Sequence, residues 1–319
     1  MIDRKKLCAA VLVGLSVACV DLQQASRRAL FDVSMATPQT QEAWRRAQKA
    51  IEDINAEDER AIGESVALRI VAGEMKDAAI TGIVLQDRDL VAYVSNVGNL
   101  VALQGRRQLF GERKTPRTRA RRFVFAILDT DEVGAFSTPG GYVFVTRGLL
   151  ARLESESELA WVLGHEVAHV DWEDGLAALK ASLATNTAMG SLGDSLKGRP
   201  ASESPFKDQN FFNGVVDKLS GIYLGSGLAR EAELRADRNG LEYSTRAGYD
   251  GGGAERALVH LDLGHSLGGF LTHGSVSERR SAMAEFLEKP GKTGAMRYDR
   301  TCAARVEALP TPVAVEATK

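Results

Sequence analysis

Five residues in the middle of the chain could do chemistry together: His165-Glu166-Val167-Ala168-His169. On a helix, positions four apart lie within about 40 degrees of each other around the axis, so both imidazoles can reach one metal ion. Glu166 follows the first histidine and projects beside such an ion, where its carboxylate can take a proton from water held there. A pattern with three fixed positions does arise by chance, but the chain has only five histidines and two of them stand here. Their neighbours on the inward face are Val162, Leu163 and Val167. Ionisable groups among such residues are costly without a partner, which favours the metal reading.

Catalytic zinc usually keeps three protein ligands and one open position, so a third ligand is expected elsewhere. The continuation Val170-Asp171-Trp172-Glu173-Asp174-Gly175 contains no further histidine, which excludes the metzincin pattern. A glutamate is the usual alternative, and Arg230-Glu231-Ala232-Glu233-Leu234-Arg235-Ala236-Asp237 offers one. Glu233 and Asp237 share a helix face, so Asp237 could accept the free ring N–H of a ligating histidine. The competing reading is a solvated face with Glu231 and Arg235 as an exposed pair, and spacing alone does not choose between them. His260 fits a polar position on an amphipathic helix and His265 precedes a Gly-rich turn, so neither is expected as a ligand.

The elements that must position these groups are mainly helical. Apolar residues recur at helical spacing over 41–73, where long helices are expected, and again from Asp87 or Asp89 to Gln104. Phe123–Leu128 reads as a strand, and Gly140-Gly141 followed by Tyr142–Val145 as a turn and strand, which predicts a small sheet over 122–146. Ser155 or Ser157 with acidic residues after it marks the start of the motif helix. Helical periodicity returns at 211–224, 228–246 and 254–263, and Tyr249–Gly253 reads as a turn. The stretch 185–210, rich in Ser, Gly, Asn and Pro, reads as a flexible excursion. The basic run from Arg106 to Arg122 reads as a solvated loop, the alternative being a contact with anionic lipid headgroups.

The first residues differ from the rest. Arg4, Lys5 and Lys6 precede an apolar run from Leu7 to Val20, shorter than the roughly 20 residues that cross a bilayer, so a signal peptide is expected over 1–18. Ala18-Cys19 resembles a lipoprotein junction, which would place a lipid on Cys19 and a tether over 19–40. Cys302 stands alone downstream, so no disulfide framework is available. The net charge is -2 with 44% hydrophobic and 26% charged residues, an ordinary globular balance that gives no reason to expect nucleic acid.

Taken together the motifs resemble the zinc metallopeptidase family of HtpX and the CAAX prenyl endopeptidase, which also includes exported proteases of the BepA and LoiP kind. The resemblance rests on Ala135-Phe136, Pro139–Val145, Gly148-Leu149-Leu150, Glu158-Leu159-Ala160, the paired histidines with Glu166, and Arg230 through Asp237. It implies an α+β fold, mostly helical, with a zincin-like core and a small sheet beside the active-site helix. It implies one zinc per chain on His165, His169 and Glu233 rather than Glu231, and a substrate strand at Ala135 and Phe136. Thr272-His273-Gly274, with Arg279 six residues after the histidine, resembles a later family segment. On that likeness His273 faces the site, either as an inhibitory fourth ligand or as an aid to catalysis. Gly134 and Gly274 stand where the family usually has Asn and Pro.

The expected domains are a metallopeptidase domain over 41–290, with its motif core at 122–287, and a C-terminal extension over 291–319. The expected activity is zinc-dependent cleavage of unfolded or misassembled envelope proteins in the periplasm, from an outer-membrane attachment through a lipid on Cys19. Glu166 would serve as base, and His273 or an Arg would offset charge on the oxyanion. The alternatives are a chaperone for outer-membrane proteins with little proteolysis, and a structural zinc protein. The latter is disfavoured because such sites use four ligands and favour Cys.

Overall fold

The computed structural model describes residues 37–72, 84–105, 123–183, 186–223, 227–262 and 276–287. The leader, Cys19, the basic run, His265, His273 and the C-terminal extension lie outside them. Eleven helices and three strands are seen among the described residues. In order they are α1 (Pro38–Glu52), α2 (Ala56–Val71), α3 (Arg88–Ala102), β1 (Val124–Leu128), β2 (Ala135–Thr138), β3 (Tyr142–Thr146), α4 (Arg147–Arg152), α5 (Glu156–Asp171), α6 (Asp174–Leu183), α7 (Asn186–Asp194), α8 (Gln209–Gly221), α9 (Arg230–Arg246), α10 (Gly252–Asp262) and α11 (Val276–Leu287).

The described residues form two compact units: those up to Ile54 with Lys180–Val215, and Asn55–Leu179 with those from Val216 onward. In the first, α1 starts at Pro38 behind the cap Thr37, inside the expected tether. The expected flexible excursion over 185–210 is instead α7, a short 3-10 turn at Pro205–Lys207 and the start of α8. Packing explains the difference. The Trp44 indole donates to Asp194 Oδ1 at 3.0 Å and lies so near Gly193 that a Cβ there would meet it at 2.2 Å. Arg46 donates to the carbonyls of Arg199, Pro200 and Glu203. Small residues that read as loop are contact points here, and tertiary contacts carry helices that local propensity would not.

The second unit holds the motifs. Its sheet has the order β1-β3-β2, with β1 parallel to β3 and β2 antiparallel to it, so β2 is at the edge. The β2–β3 loop turns through Gly140 and Gly141 at φ 81 and 101, a left-handed region that glycine enters without strain. All sixteen residues of α5 are buried. Its start is fixed by Ser155, which accepts from the Glu158 N–H at 3.3 Å, while the Glu158 carboxylate accepts from the Ser155 hydroxyl at 2.9 Å and the Glu154 N–H at 2.8 Å. Leu159, Leu163, Val167, Val97, Val101, Leu241 and Tyr243 belong to one apolar core around this helix. Each such side chain contributes roughly 1.5–3 kcal/mol when fully buried.

The helices α5 and α9 meet at two glycines. A Cβ on Gly164 would lie 2.9 Å from the Gly240 carbonyl oxygen, and one on Gly240 would lie 2.7 Å from the His165 nitrogen. This near-contact of backbones brings the histidines and the carboxylates of α9 within reach of each other. A methyl group must push the helices apart, so Gly240→Ala should lower stability by about 1–3 kcal/mol in urea denaturation. Gly221→Ala, where a Cβ meets nothing within 4 Å, should be neutral or mildly stabilising. Equal effects of the two would contradict the crossing as the cause.

Candidate metal centre

One turn of α5 sets His165 and His169 on the side facing the first turns of α9, where Glu233 and Asp237 stand one turn apart. Glu233 sits in the first turn of its helix, where a carboxylate is favoured by the unpaired backbone N–H groups. All four are buried, with exposures of 3%, 4%, 3% and 2% respectively. Glu231 instead points outward with a side chain 77% exposed, 3.7 Å from Arg230.

The two imidazole Nε2 atoms are 3.0 Å apart. Glu233 Oε2 is 3.4 Å from His165 Nε2, and its Oε1 is 3.6 Å from His169 Nε2. Three donors each about 2.0–2.2 Å from a tetrahedral centre must themselves be roughly 3.3 Å apart, so this spacing fits a zinc-sized ion. The far side of each ring is also engaged. His165 Nδ1 is 2.9 Å from Asp237 Oδ1, and His169 Nδ1 is 2.9 Å from Asp174 Oδ2. With Nδ1–H donating to a carboxylate, each neutral ring turns its Nε2 lone pair toward the same point, where either a proton shared between the rings or a metal ion relieves the repulsion.

The electrostatics make the same demand. Burial pulls the His169 imidazole down, but Glu233, Asp174 and Glu166 outweigh it and, with no metal bound, raise it to about 10. Burial pushes the Asp237 carboxyl up, yet Arg279 and His165 hold it well below the usual range. Arg279 grips Asp237 with both arms, at 2.6 and 2.8 Å, so its charge is engaged there. Arg279 thus contacts Asp237, and its Nη2 lies 3.5 Å from His165 Nδ1.

Glu166 lies beside the histidine pair, 2% exposed. The Ser137 hydroxyl on β2 is 2.9 Å from Glu166 Oε2 and 3.0 Å from the Glu166 carbonyl oxygen. Ala135 and Phe136 are on the same edge strand, with Phe136 stacked on Phe144 at 4.9 Å. A small pocket is lined by Ala135, Trp161, Val162, His165 and Glu166. Another is lined by Ser137, Thr138, His169, Leu176 and Tyr223. Burial, with Glu166, Asp174 and Glu59 nearby, keeps the Tyr223 phenol far above its usual range, hence protonated.

Sequence reasoning missed Asp174, Ser137 and Tyr223. Asp174 follows His169 by five residues across a helix break, and the other two come from distant elements, so no helical spacing could have found them. His260 lies 3.5 Å from Glu158 and 4.0 Å from Glu154. These three also satisfy a metal-like spacing. Glu158, however, already accepts from Ser155, the Glu154 N–H and Arg256, the work of a helix cap.

Comparison with known proteins follows the same lines. The model of peptidase family M48 matches residues 107–286. The chain is 30% identical over 169 residues to the beta-barrel assembly-enhancing protease of Yersinia pestis, covering 52% of this chain and 31% of that protein. It is 31% identical over 131 residues to the protein of that name in Escherichia coli K12, covering 40% and 26%. It is 30% identical over 159 residues to the mitochondrial metalloendopeptidase OMA1 of Arabidopsis thaliana, covering 48% and 29%. The chain spans about a third or less of the length of these relatives. The family match covers more than half of the chain, and the protein belongs to peptidase family M48, as a metalloprotease of mostly helical, zincin-like fold.

Proposed function

We propose that this protein is a zinc-dependent endopeptidase of the cell envelope that cuts unfolded or misassembled proteins, with His165, His169 and Glu233 as metal ligands and Glu166 as general base. The observation that carries this reading is the convergence of two Nε2 atoms and one buried carboxylate at zinc-like spacing, with Glu166 beside them. The envelope setting and its protein substrates are inferred from the beta-barrel assembly-enhancing relatives and from the apolar leader, with Cys19 as the lipid attachment.

A bound zinc ion would supply Lewis acidity, making a water molecule a better nucleophile and polarising the scissile carbonyl. The chain's own residues do the rest. Asp237 and Asp174 hold the two rings in the tautomer that offers Nε2. Ser137 donates to the Glu166 carboxylate through Oε2 and so orients it beside the histidines. Glu166 takes the proton as water attacks the carbonyl carbon and returns it to the amine as the C–N bond breaks. The substrate lies extended along β2 and adds a strand to that edge by backbone pairing. Burial of the whole centre strengthens each of these interactions by excluding water.

Two experiments test the reading. Glu166→Gln keeps the side chain's size and removes its basicity, so casein cleavage should fall by about a hundredfold or more while zinc content is unchanged. Activity within about tenfold of wild type would remove Glu166 as the base. Glu233→Ala should release zinc on dialysis, and Glu231→Ala, on the exposed face, should keep it. Equal zinc content in the two purified variants would reject Glu233 as a ligand.

A further inference from the structure

The two histidines are held by matching but unequal arms. Behind His165 stand Asp237 and then Arg279, whose guanidinium lies 5.9 Å from the centre of the Trp161 ring. Behind His169 stand Asp174 and then Arg235, whose guanidinium lies 4.9 Å from the centre of the Trp172 ring. Within the first arm Arg279 is buried and grips its carboxylate with two nitrogens. In the second, Arg235 reaches Asp174 through one nitrogen and its side chain is 30% exposed.

The backbone is bent to make the second arm. After α5 ends, Glu173 takes φ 58, and it is the only residue other than glycine with positive φ among the described residues. That left-handed conformation normally falls to Gly or Asn and is strained for Glu. The turn brings Asp174 back beneath His169, where its carboxylate is 4% exposed. Strain of this kind persists only where surrounding contacts over-determine it. The contacts here are His169 on one carboxylate oxygen and Arg235 on the other.

We propose that Asp174, clamped between His169 Nδ1 and the Arg235 guanidinium that lies over Trp172, is a positioning residue that sets how tightly the centre holds its metal. The proposal rests on the reading of His165, His169 and Glu233 as metal ligands. A carboxylate that accepts Nδ1–H fixes the ring's tautomer and makes Nε2 a stronger donor. A buried carboxylate can do so only if its own charge is matched, and Arg235 matches it from the solvent side, with the Trp172 face sharing the guanidinium. The centre therefore has one sealed arm and one open arm, and the open arm is where surface substitutions can tune metal affinity.

The test is chelator competition for zinc on the metal-free full chain, which needs no activity. Asp174→Asn preserves the side chain's volume and should weaken zinc binding by about ten- to a hundredfold. Arg235→Ala should weaken it in the same direction by less, and circular dichroism checks that both fold. A purely structural Asp174 would lower the melting temperature of the metal-free chain and leave zinc affinity within about twofold of wild type, which overturns the proposal. His165→Ala separates the two levels of argument. If it releases zinc while Asp174→Asn holds zinc as wild type does, the proposal alone fails; if His165→Ala also holds zinc as wild type does, the metal-site reading fails with it.

Discussion

Two imidazole nitrogens 3.0 Å apart in the interior, with a carboxylate closing the triangle, form the arrangement on which the rest of the structure depends. Such groups lose their hydration on burial and are unstable there without compensation. Around the rings stand four buried carboxylates, Glu166, Glu233, Asp174 and Asp237, against two guanidiniums, Arg235 and Arg279.

Backbone packing makes the cluster attainable. A fully buried helix must satisfy its end groups from within, and Ser155 with Glu158 does this at the start of α5. The absence of side chains at Gly164 and Gly240 lets α9 approach closely enough for Glu233 and Asp237 to meet the histidines. On the other side, the edge strand β2 supplies Ser137 to Glu166. Three elements far apart in sequence thus converge on one carboxylate and two rings, and the apolar core around Leu163 and Val167 fixes their relation.

Much of this was legible in the sequence, for physical reasons. Periodicity marks α3, α9 and α10 because one face of each is apolar, and Ser155 marks the start of α5 because its hydroxyl replaces a missing backbone partner. His165, Glu166 and His169 are legible because one element carries all three. Glu233 needed the resemblance, since a carboxylate three residues after Arg230 looks the same whether it faces solvent or metal. Asp174 was illegible because a left-handed Glu173, which nothing in its residue type announces, brings it to His169. Ser137 and Gly240 depend on which strand and which helix meet α5, information that a single chain's spacing does not hold. The segment 185–210 was misread because Gly190 and Gly193 there admit Trp44 and do not mark a loop.

The account turns on one claim, that the two Nε2 atoms and the Glu233 carboxylate hold an ion. Anomalous diffraction at the zinc edge from crystals of the zinc-loaded chain tests it without reference to activity. The account predicts one strong peak per chain about 2.0–2.2 Å from His165 Nε2, His169 Nε2 and a Glu233 oxygen. A peak at Glu154, Glu158 and His260 instead, or none between the two rings, would contradict it.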